Sequence, residues 1–133
     1  MLKARDIMRK KVISVKEETP IYEAIALLTE HNIAGMPVVR DDMTLAGILS
    51  EKDVLSLFHA HEDEEEKIVD DFMTQPALYF DEDESLLDVC DFLMKNIFRR
   101  VPVTSKGKLV GIISIKDFLE YILQPRRKSA GTT

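Results

Sequence analysis

Apolar positions along the chain recur with two alternating periods. Ile21, Ala24, Ile25 and Leu28 fall at i, i+3, i+4 and i+7, which places a stripe on one face of a helix, and Leu86, Val89, Cys90 and Leu93 repeat the set. Each is predicted to be the first helix of a unit. Thr19-Pro20 reads as a helix start, with the hydroxyl as N-cap and proline in the first turn, and Ser85 with Asp88 three residues on serves the later helix. After each stripe come short apolar runs opened by proline, Pro37-Val38-Val39 and Pro102-Val103-Thr104. A turn follows each, then Leu45-Ala46-Gly47-Ile48-Leu49 and Leu109-Val110-Gly111-Ile112-Ile113. These are predicted strand pairs. A second helix is predicted from Glu51 to Phe58 and again from Ile115 to Leu123. Short extended pieces precede the first helices at Val12 to Val15 and Ala77 to Phe80.

The pattern is a duplication. A shift of 65 residues places Asp6 on Asp71, Met8 on Met73, Ile21 on Leu86, Pro37 on Pro102 and Val38 on Val103. From Leu45 on Leu109 the shift is 64, aligning Gly47 with Gly111, Ser50 with Ser114 and Asp53 with Asp117. The missing residue falls in a turn, where the second copy carries the hairpin-like Ser105-Lys106-Gly107-Lys108. The fold class is therefore α/β (α+β), two β-α-β-β-α repeats. The expected domains are 1–60 for the first motif, 61–70 for an acidic connector, 71–123 for the second motif and 124–133 for a basic, disordered tail. One repeat of about 55 residues encloses too little core to stand alone, so the copies are expected to pack about a pseudo-twofold axis with a ligand cleft between them.

Three blocks in each copy carry a family likeness. Asp6-Ile7-Met8 with Asp71-Phe72-Met73, Gly35-Met36-Pro37-Val38-Val39 with Arg99-Arg100-Val101-Pro102-Val103, and Gly47 to Asp53 with Gly111 to Asp117 resemble the marks of a cystathionine β-synthase (CBS) domain pair. The resemblance runs from about residue 2 to residue 122. It implies a disc-like, often dimeric module that binds adenosine-containing ligands such as AMP, ADP, ATP or S-adenosylmethionine and has no catalysis of its own.

The residues themselves suggest how such a ligand is held. In Ser50-x-x-Asp53 and Ser114-x-x-Asp117 the serine stands where a strand gives way to a helix, so its hydroxyl and the helix N–H groups suit a phosphate, while the aspartate accepts from ribose hydroxyls. The same spacing is also a capping box, with serine and acid satisfying backbone N–H groups and nothing else. Arg99 and Arg100 align with Ala34 and Gly35, so only the second copy brings guanidinium groups able to fork onto phosphate oxygens. Ile13-Ser14 and Leu78-Tyr79 resemble the family's adenine slot, where Tyr79 can stack on a base or simply be a surface tyrosine. Gly35, Met36 and Pro37, with Val101 and Pro102, complete the nucleotide-binding set that the resemblance implies.

Composition narrows the setting. With 18 basic against 24 acidic residues the net charge is −6, which repels a phosphate backbone, so nucleic-acid binding is not expected. No apolar run is long enough to span a bilayer, the first nine residues do not read as a secretory signal, and the single Cys90 sits on a helix stripe as a packed thiol. A cytoplasmic location without membrane attachment is expected. His59 and His61 stand two apart in an acidic run and lack a cysteine partner, so no metal site is expected. No nucleophile and base fall together, so no enzyme activity is expected either. Adenine nucleotide is expected as a regulatory ligand rather than a required cofactor. Val54, Leu55, Leu57 and Phe58, with Phe118, Leu119, Tyr121 and Ile122, predict a homodimer through the second helices. An effector protein is expected as a further partner. The alternatives are a ligand-independent assembly module or a binder of S-adenosylmethionine or another adenosyl ligand.

Overall fold

Helices α1 (Ile21–Glu30) and α3 (Leu86–Lys95) form on the predicted stripes, burying Ile21, Ala24 and Leu28 in one case and Leu86, Val89 and Leu93 in the other. The computed structural model describes residues 1–59 and 67–132, by backbone alone from residue 125 onward. Ser85 caps α3, its Oγ accepting the Leu87 N–H at 3.2 Å. Thr19 does not cap α1. The N-cap is Pro20, and the Thr19 hydroxyl, one residue too early, accepts the Lys16 N–H at 3.0 Å and closes the turn before the helix.

The described residues form two three-stranded sheets of the same topology, giving the mixed α+β fold that the periodicity predicts. In the first, β1 (Val15–Lys16) runs parallel to β2 (Gly35–Val39), which pairs antiparallel with β3 (Leu45–Ser50). In the second, β4 (Phe80–Asp81), β5 (Arg100–Ser105) and β6 (Lys108–Ser114) repeat that order. The β5–β6 turn is Lys106-Gly107, both at positive φ (52° and 81°), a conformation that matches the twist of a hairpin. The β2–β3 turn is longer and places Met43 at φ 72°.

The second helices differ from expectation. Helix α2 spans only Glu51–Val54 and tightens into a 3-10 turn over Leu55–His59, where the Ser56 hydroxyl donates to the Asp53 carbonyl at 3.4 Å and competes with regular helical bonding. Helix α4 (Ile115–Thr132) instead runs past Leu123, through the segment expected to be a disordered tail. Most of the acidic connector at 61–70, with His61, lies outside the described residues.

The compact units are not the two sequence motifs taken end to end. One comprises Met1–Val12 with Tyr79–Thr133, and the other Ile13–Leu78. The segment that opens each motif is thus built into the sheet of the other copy. Arg9 and Ile112 exchange both backbone hydrogen bonds (2.8 and 2.9 Å), and Thr74 and Ile48 do the same (2.8 and 3.0 Å). The paired blocks Asp6-Ile7-Met8 and Asp71-Phe72-Met73 acquire a structural role here. Each aspartate closes a 3-10 turn by accepting the N–H three residues back, Lys3 at 2.7 Å and Ile68 at 2.9 Å. Met73 and Val69 then enter a core with Leu28, Met36, Val38 and Leu49, while Ala4 enters one with Leu93, Val101, Val103 and Ile113, with Met8 packed against it.

Candidate functional site

Both Ser-x-x-Asp motifs form complete capping boxes. The Asp53 N–H donates to Ser50 Oγ at 3.2 Å and the Ser50 N–H donates to Asp53 Oδ2 at 2.9 Å. At the start of α4 the Asp117 N–H donates to Ser114 Oγ (3.3 Å), and the Ser114 N–H to Asp117 Oδ2 (2.8 Å). Each box uses one carboxylate oxygen for the cap and leaves Oδ1 for something else. The capping role foreseen from the spacing is therefore real, and it leaves half of each carboxylate for other donors.

What reaches Oδ1 differs between the copies. In one unit the Thr74 hydroxyl donates to Asp53 Oδ1 at 3.2 Å. In the other, Arg9 Nε donates to Asp117 Oδ1 at 2.6 Å, and its Nη2 reaches Glu120 Oε1 at 3.0 Å. Arg9 and Thr74 are equivalent residues under the 65-residue shift, each following the methionine of its opening block. Sequence reasoning passed over both, although their alignment and unlike chemistry were visible. What was missing was the exchange that carries each into the other copy's sheet. Asp117 is buried, only 6% exposed, while Asp53 is half-buried. The hydrogen bond and charge of Asp117 hold the Arg9 guanidinium above its ordinary pKa.

The flanking strands bring the other candidates to the same places. Gly35 pairs with Ser50, Met36 with Leu49 and Pro37 with Ile48. In the second copy Arg100 pairs with Ser114, Val101 with Ile113 and Pro102 with Ile112. Met36 and Val101 point into the cores, so they have only backbone to offer a ligand. At Gly35 a Cβ would lie 3.1 Å from the Leu49 carbonyl oxygen, so the strand is bare beside Ser50. In the other unit the same position is Arg100, whose Nε is buried without a hydrogen-bond partner among the described residues. Burial lowers the Arg100 pKa, Asp117 opposes the shift, and Arg99 adds to it. Arg99 is exposed, and its carbonyl accepts the Ile115 N–H at 2.9 Å. Ile13 and Ser14 lie just before β1, and Leu78 and Tyr79 just before β4, at the two places where the chain passes from one compact unit to the other. Tyr79 is exposed and half-buried Ser14 is its equivalent.

The CBS domain family model matches residues 4–60 and again 69–124. The chain belongs to the CBS-domain family. As a CBS pair it is 38% identical over 118 residues to the Methanocaldococcus jannaschii protein MJ1225, covering 89% of this chain and 42% of that one. The chain therefore spans less than half of that relative. Among solved structures it resembles CBSX2 in complex with AMP, with 31% identity, a TM-score of 0.84, and coverage of 95% of this chain and 99% of that one. It also resembles the CBS domain pair of MJ0100 in complex with 5′-methylthioadenosine and S-adenosyl-L-methionine, with 26% identity, a TM-score of 0.75, and coverage of 91% and 95%. No helix among the described residues is long and apolar enough to cross a membrane.

Proposed function

We propose that this CBS pair is a cytoplasmic, non-catalytic regulatory module that binds an adenine nucleotide, AMP, ADP or ATP, and transmits its occupancy to an effector protein. The observation that carries this reading is the pair of carboxylates at Asp53 and Asp117, each held by its capping box through one oxygen and keeping the other outside the box, where a side chain now donates to it. A carboxylate fixed by its own cap, with one oxygen directed at exchangeable donors, is preorganised to accept ribose hydroxyls without first paying to be ordered. The AMP complex of CBSX2 and the adenosyl complexes of the MJ0100 pair support the ligand class. The backbone beside Ile13, Ser14, Leu78 and Tyr79 is assigned to the base, and Ser50, Ser114, Arg99 and Arg100 to the phosphate.

The closed capping boxes also favour a second reading, a ligand-independent assembly module. Thermal shift separates the two. An adenine nucleotide at a hundred times its Kd raises the apparent stability by about 2.7 kcal/mol if it binds, and leaves it unchanged if the boxes are only caps. Titration with AMP, ADP, ATP and S-adenosylmethionine then orders the ligands. Changing Arg99 and Arg100 together to alanine is expected to weaken AMP by about tenfold while adenosine changes little, since a charge-assisted contact is lost only by the phosphorylated ligand. Equal losses for both ligands would give the arginines a structural role.

A homodimer is also proposed, through fewer second-helix residues than the sequence predicted. Val54, Leu57 and Phe118 pack against the cores of their units. Leu55, Phe58, Leu119, Tyr121 and Ile122 stay exposed, Phe58 at 89%. Sedimentation at tens of micromolar is expected to show a species of twice the 15.2 kDa chain, and Phe58→Glu with Ile122→Glu to return it to monomer. A monomer alone in the unmodified protein would remove this part of the proposal.

A further inference from the structure

We propose that Arg9 makes the two ligand positions unequal, admitting phosphorylated adenosyl ligands at Asp117 and excluding uncharged ones, while the Thr74–Asp53 position accepts both. This rests on the nucleotide reading above and adds a selector that the reading does not contain.

Geometry and charge distinguish the two positions. A ribose hydroxyl arriving at Asp53 Oδ1 meets Thr74 Oγ1, a neutral group 3.2 Å away that rotates aside and finds water. At Asp117 Oδ1 it meets a guanidinium at 2.6 Å that is also held by Glu120, and a charge-assisted bond must be broken before the ribose can take its place. Arg9 also forms a wall of a cavity of about 350 Å³ whose lining includes Asp6, Asp117, Glu120 and Tyr121, so the displaced side chain has room to move. A nucleoside offers it nothing in return. A phosphate does, because the freed guanidinium presents its fork to the anion beside Arg100, whose buried Nε has no hydrogen-bond partner among the described residues and whose strand position pairs with Ser114. The Asp53 position has neither cation, since Thr74 and Gly35 stand where Arg9 and Arg100 stand in the other unit.

The test is calorimetric titration of the full chain with AMP and with adenosine, for the unmodified protein and for Arg9→Thr, which copies the Thr74 arrangement. The unmodified protein is expected to take AMP at both positions and adenosine at one. Arg9→Thr should give adenosine a second site, tightened by about tenfold, with AMP gaining less. Arg9→Gln removes the charge while keeping a hydrogen-bond donor near Asp117, and should shift the balance in the same direction; it carries the test if Arg9→Thr melts early. AMP binding with an AMP-to-adenosine preference unchanged in both variants would overturn the Arg9 proposal alone. If neither AMP nor adenosine binds the unmodified protein, the nucleotide reading fails and the selector falls with it.

Discussion

Asp117→Ala is expected to lower the unfolding free energy by about 2–3 kcal/mol and nucleotide affinity at its position by roughly ten- to a hundredfold. Asp53→Ala should cost only about 1 kcal/mol of stability, the ordinary value of a lost helix cap. The two aspartates cap in the same way, so the difference comes from their surroundings. Asp117 is buried with both oxygens engaged, and its removal strands the part-buried Ser114 N–H and frees Arg9. Asp53 is half-buried, and its outer partner is a threonine hydroxyl that water replaces at little cost. Little of the loss belongs to the Arg9–Glu120 pair, since both side chains are more than half exposed and such pairs contribute little in water. Urea denaturation read beside calorimetric titration separates the roles. Asp117→Asn keeps an oxygen for the Ser114 N–H and so most of the stability, while the neutral amide binds ribose hydroxyls and Arg9 less well. Equal stability losses for the two alanine variants would show that the Arg9 contact and the burial of Asp117 add nothing beyond the cap.

Much of the fold was legible because its signals are local. The stripes at Ile21, Ala24 and Leu28 and at Leu86, Val89 and Leu93 are the buried faces of α1 and α3, and the Lys106-Gly107 turn follows from the need for two residues at positive φ. Local signals also set the limits. Helix α2 tightens into a 3-10 turn after Val54, and the cap of α1 is displaced because Thr19 stands one residue before the N-cap. Neither is carried by hydrophobic periodicity. The capping boxes were foreseen as an alternative to ligand binding. Because a carboxylate has two oxygens, each box leaves its Oδ1 for other donors. What the sequence could not show was the exchange of the opening segments, since nothing local marks which sheet Met8-Arg9 or Met73-Thr74 will join. Arg9 went unnoticed for the same reason. Its partner is 108 residues away.

The glycines at the exchange points offer the sharpest test of that architecture, and Gly47→Ala is expected to destabilise the protein by about 1–3 kcal/mol. Gly47 does not have a positive φ, so its lack of a side chain serves close approach rather than an unusual backbone. A Cβ there would lie 2.6 Å from the Thr74 carbonyl oxygen and 3.0 Å from the Met73 sulfur. The carbonyl cannot yield without lengthening the Ile48–Thr74 hydrogen-bond pair, and pushing it back draws Met73 from its core. At Gly111 the first atom met is the Met8 sulfur at 2.6 Å, with the Arg9 carbonyl oxygen at 3.0 Å. A methionine side chain moves more readily than backbone, so Gly111→Ala should cost less than Gly47→Ala. Gly107→Asn, at a positive-φ turn position with open space around it, is the control without close approach and should cost about 0.5–1 kcal/mol, the strain of a side chain in a conformation that asparagine adopts more readily than most residues. Urea midpoints for the three variants, compared at a common m-value, check the order. If Gly47→Ala were as mild as the control, Thr74 would not be seated on β3 and the exchange of opening segments would be wrong for that copy.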